Sequence, residues 1–186
     1  MAESAGCVSM ENLPNGLRHL NVLQPAEAES EFLKCCGAQK WAQQMSENLP
    51  FRGERDLLET AERVWWGLAP EDWLEAFRSH PKIGEQKVDA QTSATSLSWS
   101  QKEQAGIENA GASTRQLLTE LNRSYEEKFG FIYIVCATGK SSEELLRILR
   151  DRLANTAETE LRNAAAEQAQ ITKLRLNKLL TSWEQA

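Results

Sequence analysis

Phe131-Ile132-Tyr133-Ile134-Val135-Cys136-Ala137 decides the fold class of this chain. The run is β-branched and aromatic, is bounded by Gly130 and Gly139, and has the character of a buried strand. A strand needs a partner, and the rest of the sequence offers none. The other patterned stretches carry apolar residues at three-and-four spacing, the period of a helix. The expectation is an all-α protein: a single compact multi-helix domain with one isolated extended segment near 131–137. Such a segment has no ladder for its backbone N–H and C=O groups, and buried orphans are costly. Either neighbouring side chains and waters satisfy them, or a ligand rich in amides does.

On the C-terminal side, Ser141-Ser142-Glu143-Glu144 is a capping-box start for a helix carrying Leu145, Leu146, Ile148, Leu149 and Leu153. Asn155 is expected to cap a long last helix, from about Thr156 to Trp183, with Leu161, Ala165, Ile171, Leu174 and Leu179 facing inward. On the N-terminal side, Ser113 through Tyr125 to Gly130 and Ser98 to Ala110 carry helical signals. The Gln, Ser, Thr and Ala composition between Gly84 and Ser98 is that of a loop. Pro70-Glu71-Asp72 opens a helix with Trp73, Leu74 and Phe77 on its apolar face, and Pro81 stops it near His80. Leu57, Leu58, Ala61, Val64 and Trp65 form the stripe of another helix that ends at Gly67. A short helix should hold Trp41 and Met45, and one more runs from Pro25 to before Gly37. Residues 1–20 hold Gly6, Pro14 and Gly16 with little periodicity, so they are expected to be a flexible N-terminal arm, leaving 21–186 as the helical domain.

With 186 residues, 41% hydrophobic and 26% charged, the chain can bury a real core as one domain. Its formal charge of -6 gives no general attraction to phosphate backbones or anionic lipid, so nucleic acid and membrane are not expected partners. The apolar run 129–137 is far too short to span a bilayer, and the N-terminus lacks the basic-then-apolar order of a secretory signal. Cys7, Cys35, Cys36 and Cys136 show no C-x-x-C spacing and are taken as reduced. A cytoplasmic location follows. A peroxisomal one stays open for a eukaryotic source, although no C-terminal Ser-Lys-Leu type signal is present.

Two histidines limit the chemistry sharply. His19 falls in the arm, whereas His80 is pinned between a helix end and the turn Pro81-Lys82-Ile83-Gly84. A histidine there can simply complement the helix dipole, or it can be an aimed proton carrier that titrates near neutral pH. Ser100-Gln101-Lys102-Glu103 has the S-x-x-E form of a capping box, which by itself explains the two polar side chains. Arg175 lies beside the apolar stripe of the last helix; it can pair with Glu167, snorkel, or grip a carboxylate in a bidentate fork. Arg152 is a second such candidate. No metal is expected, because H-x-x-x-H and Cys/His clusters are missing from the sequence. Nor is a nucleotide, as neither glycine-rich phosphate motif occurs.

Four segments in order resemble a known family, the 2-oxo-4-hydroxy-4-carboxy-5-ureidoimidazoline (OHCU) decarboxylases of purine breakdown. They are Ser79-His80-Pro81-Lys82-Ile83-Gly84, Ser100-Gln101-Lys102-Glu103-Gln104, Tyr125-Glu126-Glu127-Lys128-Phe129-Gly130-Phe131 and Ile171-Thr172-Lys173-Leu174-Arg175-Leu176. The resemblance runs from about Asn21 to Leu180. It implies an all-helical domain, usually a homodimer, that turns OHCU into (S)-allantoin without a cofactor. By motif position His80 matches the catalytic histidine, with Glu103 beside it in the chemistry. Pro81, Ser100 and Gln104 match substrate-binding positions, and Arg175 matches the substrate arginine. Tyr133, Ile134, Val135, Cys136 and Ala137 look like the segment whose backbone meets the ligand. Hydroxyisourate hydrolase and urate oxidase are the functional partners it implies. The chain departs from the family in a longer N-terminal arm and a longer loop between Gly84 and Ser98.

Two other classes stay open on sequence alone. Six tryptophans could serve a non-catalytic helical interaction module, and the scaffold could carry another lyase or hydrolase. A pocket holding both His80 and Glu103 would favour an enzyme.

Overall fold

The computed structural model describes residues 12–83, 93–104 and 111–184. Among them are nine helices: α1 Asn15–Val22, α2 Pro25–Cys35, α3 Gln39–Glu47, α4 Glu54–Trp66, α5 Pro70–Arg78, α6 Ala94–Glu103, α7 Ala112–Phe129, α8 Ser142–Arg152 and α9 Ala157–Glu184. The described residues contain no strand ladder, and 132–137 runs extended between α7 and α8. The all-α expectation with its isolated segment therefore holds.

Local chemistry explains most boundaries. Pro25 and Pro70 occupy the first turns of α2 and α5, where a missing N–H costs nothing. The Asp72 carboxylate accepts the Ala69 N–H at 3.1 Å, and Glu144 and Ser141 close the expected capping box of α8 at 2.8 and 3.2 Å. Gly130 ends α7 in the left-handed conformation, φ 79°, which a side chain would disfavour, and its N–H returns to the Glu126 carbonyl.

Four sequence expectations are corrected. The folded part begins before Asn21: α1 starts at Asn15, and its Leu17 and Leu20 are fully buried against α9. The sequence signal was weak because α1 is short and begins just after Pro14 and with Gly16 inside it. Helix α6 starts at Ala94 rather than Ser98, because Ser93 caps it by accepting the Ser96 N–H, and the Ser96 hydroxyl bonds the Lys34 carbonyl. The rest of the expected loop, and residues 105–110 of the expected helix to Ala110, lie outside the described residues. The cap of α9 is Thr156, whose Oγ1 accepts the Thr159 N–H, while Asn155 instead donates to Glu160. Finally, Leu161 and Leu174 are only partly buried, and the inward stripe of α9 runs through Gln168, Thr172 and Arg175.

Helix α9 is the spine, packing against α1, α2, α4, α5 and α7. One core fills the space among α1 to α5 and α9, with Phe32, Trp41, Met45, Trp65, Phe77 and Leu176. A second lies between α7 and α8, with Leu118, Tyr125, Leu145 and Leu149. The extended segment is the seam, since Ile134 joins the first core while Tyr133, Val135 and Ala137 join the second. That alternation is the period-2 geometry of extended backbone. The tryptophans mostly serve packing. Trp41, Trp65 and Trp73 are buried and donate their indole N–H groups to the carbonyls of Ala61, Ala165 and Trp65. Truncating a side chain of this kind to Ala costs about 3–5 kcal/mol. Trp66, by contrast, is exposed.

Candidate active site

The corner after α5 places His80. The Ser79 and His80 N–H groups turn back to the carbonyls of Ala76 and Phe77 at 3.1 Å, and the Ser79 hydroxyl also donates to Ala76 O at 2.7 Å. Pro81 then forbids another helical turn. Gly37 packs against this corner so closely that an added Cβ would lie 2.3 Å from the Ser79 Cβ. The imidazole sits in the wall of a cleft with Nε2 enclosed and without a hydrogen-bond partner. Burial is the main reason its pKa falls to about 3, and the positive Arg175 adds to the effect; the Gln168 side chain, facing the ring, works in the opposite direction. At neutral pH this histidine is uncharged.

The end of α6 supplies the polar wall. Ser100 and Glu103 are not a helix start, since the cap of α6 is Ser93; they stand in its last turn, facing α9. Glu103 accepts from Arg175 Nε at 3.2 Å, Arg175 Nη2 at 2.9 Å and Lys178 Nζ at 2.9 Å. Arg175 Nη2 also donates to Ser100 Oγ at 2.8 Å. The Arg175 side chain is 2% exposed and the Glu103 side chain 9%, so this is a desolvated pair whose charges need each other. The two-pronged edge of Arg175, Nε and Nη2, is therefore spent on Glu103. Glu167, the partner weighed from sequence, instead accepts the Cys136 N–H at 2.7 Å.

The extended segment closes the cleft. Arg152 Nη1 donates to the Ile134 carbonyl at 2.6 Å and Lys140 Nζ to the Cys136 carbonyl at 2.6 Å. Successive residues of extended backbone turn their N–H and C=O groups to opposite sides. The N–H and C=O of Val135 and the N–H of Ala137 make no hydrogen bond with the described residues, and both residues line the cleft. Side chains thus hold the Ile134 carbonyl and both backbone groups of Cys136, while the Val135 groups and the Ala137 N–H face the cleft side without a partner among the described residues.

The cleft is partly open to solvent. It brings together His80, Pro81, Ser100, Glu103, Gln104, Tyr133, Ile134, Val135 and Ala137, all named from sequence. Arg175 stands directly behind Ser100 and Glu103, and Cys136 turns aside to Glu167 and Lys140. Ile83, Thr138 and Ile171 also line it, and sequence reasoning missed them as site residues. Gln168, fully buried beside His80, was missed too, although its spacing to Thr172 and Arg175 puts three polar side chains on one helix stripe. Arg152 lies elsewhere, bonded to Glu160 Oε1 at 2.6 Å and to the Tyr125 hydroxyl at 3.3 Å, and stacked over the Tyr133 ring. A wider groove between α4 and α9, lined by Leu58, Glu62, Trp65, Ala169 and Lys173, contains none of the site residues expected from the sequence. The thiols of Cys35 and Cys36 are pushed up by burial, Cys36 to about 11, so neither is a thiolate at neutral pH.

Residues 21–177 match the sequence profile of the OHCU decarboxylase family. The uric acid degradation bifunctional protein TTL of Arabidopsis thaliana is 37% identical over 154 residues, 82% of this chain and 47% of that protein. The uric acid degradation bifunctional protein of Bacillus sp. is 25% identical and is matched over 33% of its length. The chain thus spans about half or less of these two relatives. The 2-oxo-4-hydroxy-4-carboxy-5-ureidoimidazoline decarboxylase of Haloferax volcanii is 25% identical over 76% of this chain and 81% of its own. A crystal structure of OHCU decarboxylase in the presence of (S)-allantoin superposes with a TM-score of 0.70 at 36% identity, covering 81% of this chain and 97% of that one. The helical scaffold, three of the four motifs meeting at one cleft and a profile match over most of the sequence agree, and this chain belongs to the OHCU decarboxylase family.

Proposed function

We propose that the protein decarboxylates 2-oxo-4-hydroxy-4-carboxy-5-ureidoimidazoline to (S)-allantoin, with the cleft at His80 as its active site. The observation that carries this reading is the meeting of a neutral, enclosed histidine, a buried arginine–glutamate pair and an unsatisfied extended backbone edge in one cleft.

The substrate brings its own electron sink. Breaking the bond from C4 to the carboxylate releases CO2 and sends the electron pair into a new C4–C5 double bond, while the former C=N pair moves onto nitrogen, which takes a proton from solvent. The resulting enol then gives up its hydroxyl proton and receives one at C5, so C4 becomes a carbonyl and C5 a stereocentre. One neutral imidazole can serve both steps, accepting the proton from oxygen and returning it to carbon on a single face. A charged imidazolium could not begin that sequence as a base. The open amide edge of Val135 and Ala137 matches the ureido group and the ring carbonyl, as a ladder partner would. Ser100 presents a donor toward the substrate carboxylate, the Arg175 guanidinium bonded to it from behind supports that hydroxyl, and Glu103 holds the guanidinium in place. The reaction requires no cofactor, because the ring carries the charge that decarboxylation releases. Two relatives named as bifunctional in uric acid degradation support a partnership with hydroxyisourate hydrolase and urate oxidase. The assembly is a homodimer and the location cytoplasmic; no helix of the described residues is long and apolar enough to cross a membrane.

The test generates the substrate in place from urate with urate oxidase and hydroxyisourate hydrolase, adds this protein, and follows allantoin by circular dichroism. Faster formation with an excess of the (S) enantiomer is expected. No acceleration and no chiral excess would refute the assignment.

A further inference from the structure

Two buried polar atoms near the cleft have no hydrogen-bond partner: Nε2 of His80 and Oε1 of Gln168. Buried orphans of this kind call for a reason. Gln168 is fully buried in α9 and faces the imidazole from behind. Its amide is not free to turn, because Nε2 donates to the Thr172 hydroxyl at 3.2 Å. Thr172 is itself buried, one helical turn on. The donor end of the carboxamide is thereby fixed on Thr172, which leaves Oε1 as the acceptor. His80 Nε2 and Gln168 Oε1 make no hydrogen bond with each other in the structure, although the Gln168 side chain acts on the ring; a bond from an Nε2–H to Oε1 would satisfy both orphans and select the neutral tautomer with hydrogen on Nε2.

We propose that Gln168, anchored by Thr172, is the positioning residue of His80: it holds the imidazole as the Nε2–H tautomer and so presents the Nδ1 lone pair to the substrate. The inference deepens the reading of His80 as proton carrier and rests on it. In the relay, the enol O–H bond breaks as a bond from hydrogen to Nδ1 forms. Gln168 Oε1 then bonds the Nε2–H of the transient imidazolium, and the Nδ1 proton passes to C5 as the enol oxygen becomes a carbonyl. Gln168 touches no reacting atom. A neutral carboxamide suits the task, since it steadies the cation when it forms without holding the resting ring protonated, as a carboxylate would. The charged groups around the ring are consistent with this, as Arg175 is the one whose charge acts on it, and that charge is balanced by Glu103.

With two histidines in the chain, ¹⁵N NMR of the His19→Gln protein isolates the His80 ring. The expected spectrum at pH 7 is that of a neutral Nε2–H tautomer; an Nδ1–H tautomer or a protonated ring overturns the proposal without any change at Gln168. Gln168→Met keeps volume and removes both polar ends, so the fold is retained. It should lower kcat roughly 10- to 100-fold with little change in KM, as loss of an orienting partner does, and its His80 signals should show a mixture of tautomers. Gln168→Glu should keep the ring oriented yet raise its protonation, adding to the pH profile of kcat an acidic limb that the parent lacks. Unchanged kcat and unchanged ¹⁵N shifts in Gln168→Met would overturn the proposal. If instead His80→Asn retains full activity while the tautomer is as stated, it is the assignment of His80 as proton carrier that fails.

Discussion

His80 gives a prediction in which stability and catalysis are linked by one proton. Burial and the Arg175 charge bring its pKa from the ordinary 6.5 down to about 3. Between those values the unfolded chain binds a proton on the imidazole and the folded protein does not. Unfolding therefore takes up a proton, and stability falls as the pH is lowered through this window. At pH 7.5 the effect is negligible, and by pH 5 it amounts to about 2 kcal/mol. His80→Asn keeps polarity and approximate bulk but cannot take up the proton, so it escapes this loss while sharing every other titration of the protein. Urea unfolding of both proteins at pH 7.5 and pH 5 isolates the difference. With a slope of about 2 kcal/mol per molar urea, the wild-type midpoint should move by about 1 M more than that of the variant. The same variant should lose turnover, and the wild-type kcat/KM should show no inflection near pH 6.5. Parallel stability profiles, or a rate that follows an ordinary imidazole titration, would mean that the ring is open to water in the free protein and would refute the reasoning.

Three further outcomes follow from the same geometry. Arg175→Lys keeps the charge beside Glu103 but cannot reproduce the fork to Glu103 and Ser100, so kcat/KM should fall by roughly two orders of magnitude or more, which is about 3 kcal/mol or more; a kinetically silent variant would remove Arg175 from the site. Arg152→Met strands Glu160, which is fully buried, and should destabilise the fold by about 3–5 kcal/mol in urea unfolding, with partial recovery when Glu160→Gln is added; an unchanged midpoint would show that the pair contributes no net stability. Exhaustive chelation should leave turnover unchanged, because decarboxylation draws on the substrate's own conjugation, and activity that returns only with added metal would contradict this.

What was legible in the sequence was what repeats locally. The helix starts at Pro25, Pro70 and Ser141 were readable because a first-turn proline and a capping box act within four residues. The extended run was readable because β-branched and aromatic residues stand between two glycines. Helix α1 was not, since its helix has only eight residues and its apolar side depends on α9. Ser100 and Glu103 show how local logic misleads. Their spacing is that of a capping box, yet Ser93 had already started the helix, which freed both side chains to face α9.

The sequence by itself determined the helical class, the corner that aims His80, and which residue types were available for chemistry, because each rests on backbone sterics or helical period over a few positions. Tertiary structure decided how those residues are used. Only the packing of α6 against α9 pairs Glu103 with Arg175, 72 residues apart, and only α8 and α9 beside the extended run supply the side chains that hold the Ile134 carbonyl and the Cys136 N–H. The enclosure that keeps His80 neutral is likewise a property of the assembled wall. Desolvation and charge pairing depend on which surfaces meet in space, and that information is spread over the whole chain rather than held in any one segment.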